Sequence, residues 1–194
     1  MLKRWRYLCS LLLLSFAISS CIIVRAHDLR SPSHWPLERV GDLQNISLSV
    51  TGHRHAFGIS SELSEKGQRT VEDLIDHVYQ DSGLFSSVSV AKASHGMHAD
   101  ITLITEVADP LRWPHTLTLG VIPRVYRYKF TMATVYTDDS GTSRGTITKT
   151  ESYSWWYHPL LVFVMPFYEW KYVDLIGYAE LARATLDELR GKGP

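Results

Sequence analysis

Cysteine is almost missing from this chain: its 194 residues hold two, Cys9 and Cys21. Two thiols cannot build a four-cysteine zinc site or the disulfide framework of a small secreted scaffold. The sequence also lacks any G-x-S-x-G elbow, P-loop, dinucleotide-binding glycine pattern or H-E-x-x-H helix, so no catalytic or nucleotide signature can be nominated. It lacks an excess of either charge, with 20 Lys and Arg against 20 Asp and Glu. No basic stripe offers phosphates a surface, which argues against nucleic acid as a partner. The apolar stretch Leu8 to Ile18 falls short of the ~20 residues that cross a bilayer as a helix. Internal repeats and low-complexity tracts are absent. What remains is ordinary globular stock, 45% apolar and 21% charged.

The first twenty residues have a distinct organisation. Lys3, Arg4 and Arg6 give a positive start, Leu8 to Ile18 an apolar core of roughly the 7–15 residues a secretory signal uses, and Ser19-Ser20 a small pair before Cys21. Ile18-Ser19-Ser20-Cys21 resembles the lipobox of bacterial lipoproteins. The resemblance implies cleavage before Cys21, a diacylglyceryl group on its sulfur and acylation of the new amine. Each buried CH₂ contributes about 0.8 kcal/mol, so two or three chains hold a soluble domain on a bilayer where one would not. In that family an aspartate after the cysteine favours inner-membrane retention; Ile22 stands here, so the implied address is the periplasmic face of a bacterial outer membrane. Removal of the leader would also remove Cys9 and three positive charges, leaving 17 against 20, a formal net of −3. With Cys21 acylated, no thiol would remain for a disulfide, a metal or a nucleophile.

Residues 21–40, with Pro32, Pro36 and no apolar period, read as the lipidated cysteine and a tether, and 41–194 as a single α+β domain. Ile46, Leu48 and Val50 alternate as a first strand until Gly52 interrupts. Ser64 to Ser82 places Val71, Leu74, Ile75 and Val78 at helical spacing, with Gly83 to stop the helix. Phe85 to Ala91 and Ala99 to Val107 read as two adjacent strands. Arg124 to Thr137 is a long two-faced strand, Asp138-Asp139-Ser140-Gly141 a turn, and Arg144 to about Trp155 the returning strand. Val173 to Arg190 closes the chain with Ile176, Ala179, Ala182, Leu186 and Leu189 at spacings of three and four. The expected architecture is a mixed or antiparallel sheet with a long C-terminal hairpin and two amphipathic helices packed on one face. This element order resembles small periplasmic lipoprotein domains that assist envelope assembly.

Candidate functional residues fall into three groups. The segment 155–170 is rich in aromatics: Trp155, Trp156, Tyr157, Phe167, Tyr168 and Trp170 suit the headgroup level of a membrane, where a ring is buried while its N–H or O–H stays wet. Its competing reading is a buried strand or turn. A second apolar run, Leu117 to Pro123, enters the hairpin where the first leaves it. On the hairpin, Tyr126, Tyr128, Lys129 and Glu151 are candidate partner-binding residues, with Lys129 and Glu151 facing one another and an open edge able to accept a partner's strand. Among nine histidines, His53 and His55 share a strand face and are weak metal candidates, and His95, His98 and Asp100 form a second loose cluster; two ligands do not make a site. Asp138 and Asp139 read as turn formers.

These features lead to the expectation of a non-enzymatic, lipid-anchored module that binds an envelope protein or helps assemble or maintain the outer membrane. It would need no cofactor beyond its covalent acyl lipid. The alternatives are an envelope-directed hydrolase, metal-dependent through His53 and His55, and a structural lipoprotein whose segment 155–170 holds the leaflet.

Overall fold

The computed structural model describes residues 20–26, 29, 32–38, 44–90, 96–119, 121–158 and 173–192. The leader up to Ser19 and the segment 159–172 lie outside them. In chain order the elements are β1 (Ser20–Arg25), β2 (Gln44–Ala56), β3 (Ile59–Glu62), α1 (Glu65–Asp81), β4 (Phe85–Ser89), β5 (Met97–Ala108), α2 (Arg112–Leu117), β6 (Arg124–Thr137), β7 (Ser143–His158) and α3 (Val173–Lys192). The strands form one sheet in the order β1-β7-β6-β5-β2-β3, with β4 beside β2 off that path. β2 runs parallel to β4 and β5 and antiparallel to β3, so the sheet is mixed and the fold is α+β.

The chain divides into two compact units, one of Met1–Ala26, Ala108–Tyr128 and Tyr153–Lys171, the other of His27–Val107, Lys129–Ser152 and Tyr172–Pro194. The second unit holds the main core. Helix α1 starts where the Ser64 hydroxyl accepts from the N–H of Gly67 at 3.2 Å. It buries Val71, Ile75, Val78 and Tyr79, the i, i+4, i+7, i+8 stripe of an amphipathic helix. Alternate residues of β5, from Met97 to Val107, are buried, as are Phe130, Met132, Thr134 and Tyr136 of β6. Tyr79 reaches the Tyr136 hydroxyl at 3.0 Å. Tyr178 of α3 meets Phe130 edge-on at 5.3 Å and bonds the Thr105 hydroxyl. Helix α3 buries Leu181, Ala182, Ala184, Thr185 and Leu186 as well, a broader face than a stripe at spacings of three and four.

Three local expectations need correction. Gly52 does not end the first strand. A Cβ there would stand 2.2 Å from Leu63 Cδ1, so glycine lets Leu63 lie against the strand. The Gln68 side chain then accepts from Gly52 N at 3.1 Å and donates to Val50 O at 2.6 Å, and β2 continues to Ala56. Phe85–Ser89 does not pair with β5; it pairs in parallel with the start of β2, where Asn45 Oδ1 accepts from the hydroxyls of Ser86 and Ser87. Finally, part of the expected tether is a strand, because β1 aligns antiparallel to the end of β7 with Cys21 opposite Tyr157.

Candidate functional site

In the second unit, β2 and β5 place Ser47 opposite His98 and Ser49 opposite Asp100. His98 Nδ1 hydrogen-bonds the Ser47 hydroxyl at 2.8 Å, and its Nε2 donates to Asp100 Oδ1 at 3.0 Å. A serine, a histidine and an aspartate therefore stand in one hydrogen-bonded chain. Its burial runs opposite to that of a hydrolase triad, in which the nucleophile faces substrate and the carboxylate is buried. Here Ser47 is 3% exposed, whereas the Asp100 side chain is 56% exposed. The serine also meets the wrong ring nitrogen. The chain is a cross-strand clasp between β2 and β5. An open cleft of about 1000 Å³ lies beside it, bordered also by Thr137, Asp138 and Asp139. Asp138 is committed to its turn: bonds from the Ser140 hydroxyl and the Thr142 N–H hold its carboxyl below the usual range. Asp139 accepts from Gly96 N.

The two histidine clusters stay apart. His53 lies six residues beyond Ser47 on β2, roughly 20 Å along a strand, opposite Glu62 and Ile104. His55 is opposite Ser60 and Glu106. Among the described residues no three His, Cys, Asp or Glu side chains gather to hold a metal; His95 lies outside them.

On the hairpin, Lys129 and Glu151 do not face one another. Lys129 pairs with Glu106 at 3.2 Å. Glu151 is fully buried, accepting from Leu29 N at 3.3 Å and from Ser152 N at 3.0 Å. It is therefore no surface for a partner. The edge of β7 is covered by β1 over Tyr153–His158, and among the described residues no strand covers Ser143–Thr148, most of which is exposed.

In the first unit, Tyr126 and Tyr128 each lie 6.2 Å from the Trp155 ring. The Arg124 guanidinium sits 4.7 Å from the centre of the Tyr126 ring and donates twice to Asp109 Oδ2, at 2.9 and 2.7 Å. The Asp109 side chain is 3% exposed. Trp155, Trp156 and Tyr157 are half-buried strand residues paired with Ile23, Ile22 and Cys21, so this part of segment 155–170 is sheet and not a dipping loop. Phe167, Tyr168 and Trp170 lie outside the described residues. Sequence reasoning did not single out α2. It carries Trp113, and Leu119 and Val121 follow; with Leu117 they are 72–88% exposed. His115 donates to Ile122 O at 2.8 Å and His158 to Val121 O at 3.0 Å, fixing this turn to the first unit. No helix among the described residues is long and apolar enough to cross a membrane.

Compared with known proteins, the sequence matches no family model and no curated relative. Among the solved structures it resembles are two that are 8% identical to it. A neuraminyllactose-binding hemagglutinin homolog from Helicobacter pylori has a TM-score of 0.37 over 63% of this chain and 71% of that one. A PelC dodecamer from Paraburkholderia phytofirmans has a TM-score of 0.28 over 87% of this chain and 99% of that one.

Proposed function

We propose that the protein is a lipid-anchored, non-enzymatic module of the bacterial envelope, held by Cys21 at the periplasmic face of the outer membrane, that binds a protein partner in assembling or maintaining that membrane. The observation that carries this reading is the leader ending in Ile18-Ser19-Ser20-Cys21. Cleavage before Cys21 would leave the acylated residue inside β1, whose register runs from Ser20 to Arg25, so the anchor would join the domain with almost no slack. The inverted burial of Ser47, His98 and Asp100 favours reading them as a cross-strand clasp rather than a hydrolytic triad. The mixed sheet and its three helices supply a scaffold, and the Ser143–Thr148 edge of β7, which no strand covers among the described residues, is the surface we assign to the partner, through strand addition.

Palmitate labelling of wild type and of Cys21→Ala, followed by separation of inner and outer membranes, tests the anchor. Label in wild type alone, recovered with the outer membrane, is expected. An unlabelled wild type found free in the periplasm or medium would overturn it. Photocrosslinkers at Thr146 and Thr148 test the partner: a discrete crosslinked protein in whole cells is expected, and a blank at both positions speaks against the edge.

A further inference from the structure

We propose that Trp113, Leu117, Leu119 and Val121 enter the same leaflet that holds the acyl chains of Cys21, giving the protein a second, non-covalent membrane contact. The inference rests on the lipid-anchor reading and goes beyond it by naming the surface that meets the bilayer. Four large apolar side chains within nine residues, each at least 72% exposed, form a patch that a purely water-facing surface rarely keeps.

The patch is held, not trailing. The Thr118 hydroxyl donates to Pro114 O at 2.8 Å and accepts from Ile122 N at 3.1 Å, and His115 donates to Ile122 O. The Arg124–Asp109 pair closes the neck. Leu119 sits at φ +50, a left-handed conformation uncommon for a leucine, and is nonetheless 88% exposed. Folding has thus fixed these side chains outward.

Two observations choose lipid as the occupant. The first is position. Cys21 lies opposite Tyr157, and the next residue, His158, donates to the Val121 carbonyl, so the acylated residue and the patch sit on neighbouring backbone of one unit. Chains leaving Cys21 for the leaflet must bring this surface to it. The second is charge. From Ala108 to Tyr128 the sole acidic residue is Asp109, already paired with Arg124, while Arg112 and Arg127 are exposed. Apolar residues flanked by arginine, with no free carboxylate, match a leaflet with anionic headgroups.

The test uses the full chain, because acylation of Cys21 leaves an introduced cysteine as the single free thiol. Leu117→Cys, Leu119→Cys and Val121→Cys, with Gln80→Cys on α1 as control, are labelled with bimane. They are reconstituted in phosphatidylethanolamine–phosphatidylglycerol vesicles doped with a lipid bearing a nitroxide on its acyl chain. Several-fold stronger quenching at 117, 119 and 121 than at 80 is expected. Wild type, carried in parallel, reports the anchor: bimane uptake by wild type means that Cys21 is free, with Cys9 as a second thiol if the leader is still attached, and the series is then repeated with both Cys9→Ser and Cys21→Ser. An acylated protein whose three probes are quenched no more than the control overturns the inference and leaves the anchor standing. A free Cys21 with quenched probes overturns the anchor and upholds the contact. A free Cys21 with unquenched probes overturns both.

Discussion

The partners of Glu151, whose side chain no solvent reaches, include two backbone donors, Leu29 N and Ser152 N. A buried acceptor so placed matters most when it is removed, because the donors it leaves have already lost their water. Glu151→Ala is therefore expected to destabilise the fold by about 1–3 kcal/mol, read as a lower midpoint in urea at unchanged slope. Glu151→Gln, which keeps a carbonyl acceptor, should lose less. An Ala variant as stable as wild type would show that the two N–H groups find other partners. Asp109 differs: its partner Arg124 keeps a third of its side chain in water, so losing the carboxylate leaves a guanidinium that solvent can still serve.

Among the elements, the contact of β2 with α1 is the most sharply constrained. Gly52 has no room for a methyl group beside Leu63, and the Gln68 side chain replaces the strand partner that β2 lacks between β4 and β3. Gly52→Ala should cost about 1–3 kcal/mol through overpacking, and Leu63→Ala in the same chain should recover part of it, a coupling that a double-mutant cycle measures. Purely additive losses would refute the steric account. This junction also shows what the sequence could disclose. Helix α1 was legible because Val71, Ile75 and Val78 repeat locally between a capping Ser64 and Gly83, and β5 because its alternation is strict. Strand β1 was not, since its pattern is too short to show a period and its pairing depends on the far end of β7. Neither was α2, whose six residues include Pro114 and fall below the length at which periodicity is readable. The candidate surface was half legible: the apolar run Leu117 to Pro123 stood out at the entry of the hairpin, but such a run resembles core until exposure is known, and Trp113 gave no sign of joining it. Glu151 misled in the other direction, as a charged residue at a strand position normally looks outward.

At the scale of the molecule, buried hydroxyls and exposed carboxylates set opposite pH limits. Glu188, held below the usual carboxylate range by Lys149 and then Lys192, contributes above its unfolded value near 4.5; that contribution is lost as the pH falls through the lowered folded value. Its exposure to water keeps the effect small. The alkaline limit is steeper. Burial pushes the Tyr79 hydroxyl up to about 12 and Tyr136 well above its ordinary value of 10; their shared hydrogen bond offsets part of the rise at Tyr79 and adds to it at Tyr136. Below pH 10 both rings are neutral in the folded and unfolded chains, and the stability they provide is present in full. Between 10 and about 12 the unfolded chain releases protons that the folded chain retains, so stability falls as the pH rises. For Tyr79 the loss amounts to about 3 kcal/mol; the pair shares one bond, so its two contributions do not add. Tyrosinate absorbance followed against pH should show Tyr79 and Tyr136, with the buried Tyr178, titrating late among the tyrosines, together with the collapse of the far-ultraviolet dichroism. Ionisation of every tyrosine near pH 10 with the fold intact would mean that water reaches the hydroxyl pair, and the tie between α1 and β6 would have to be explained by packing alone.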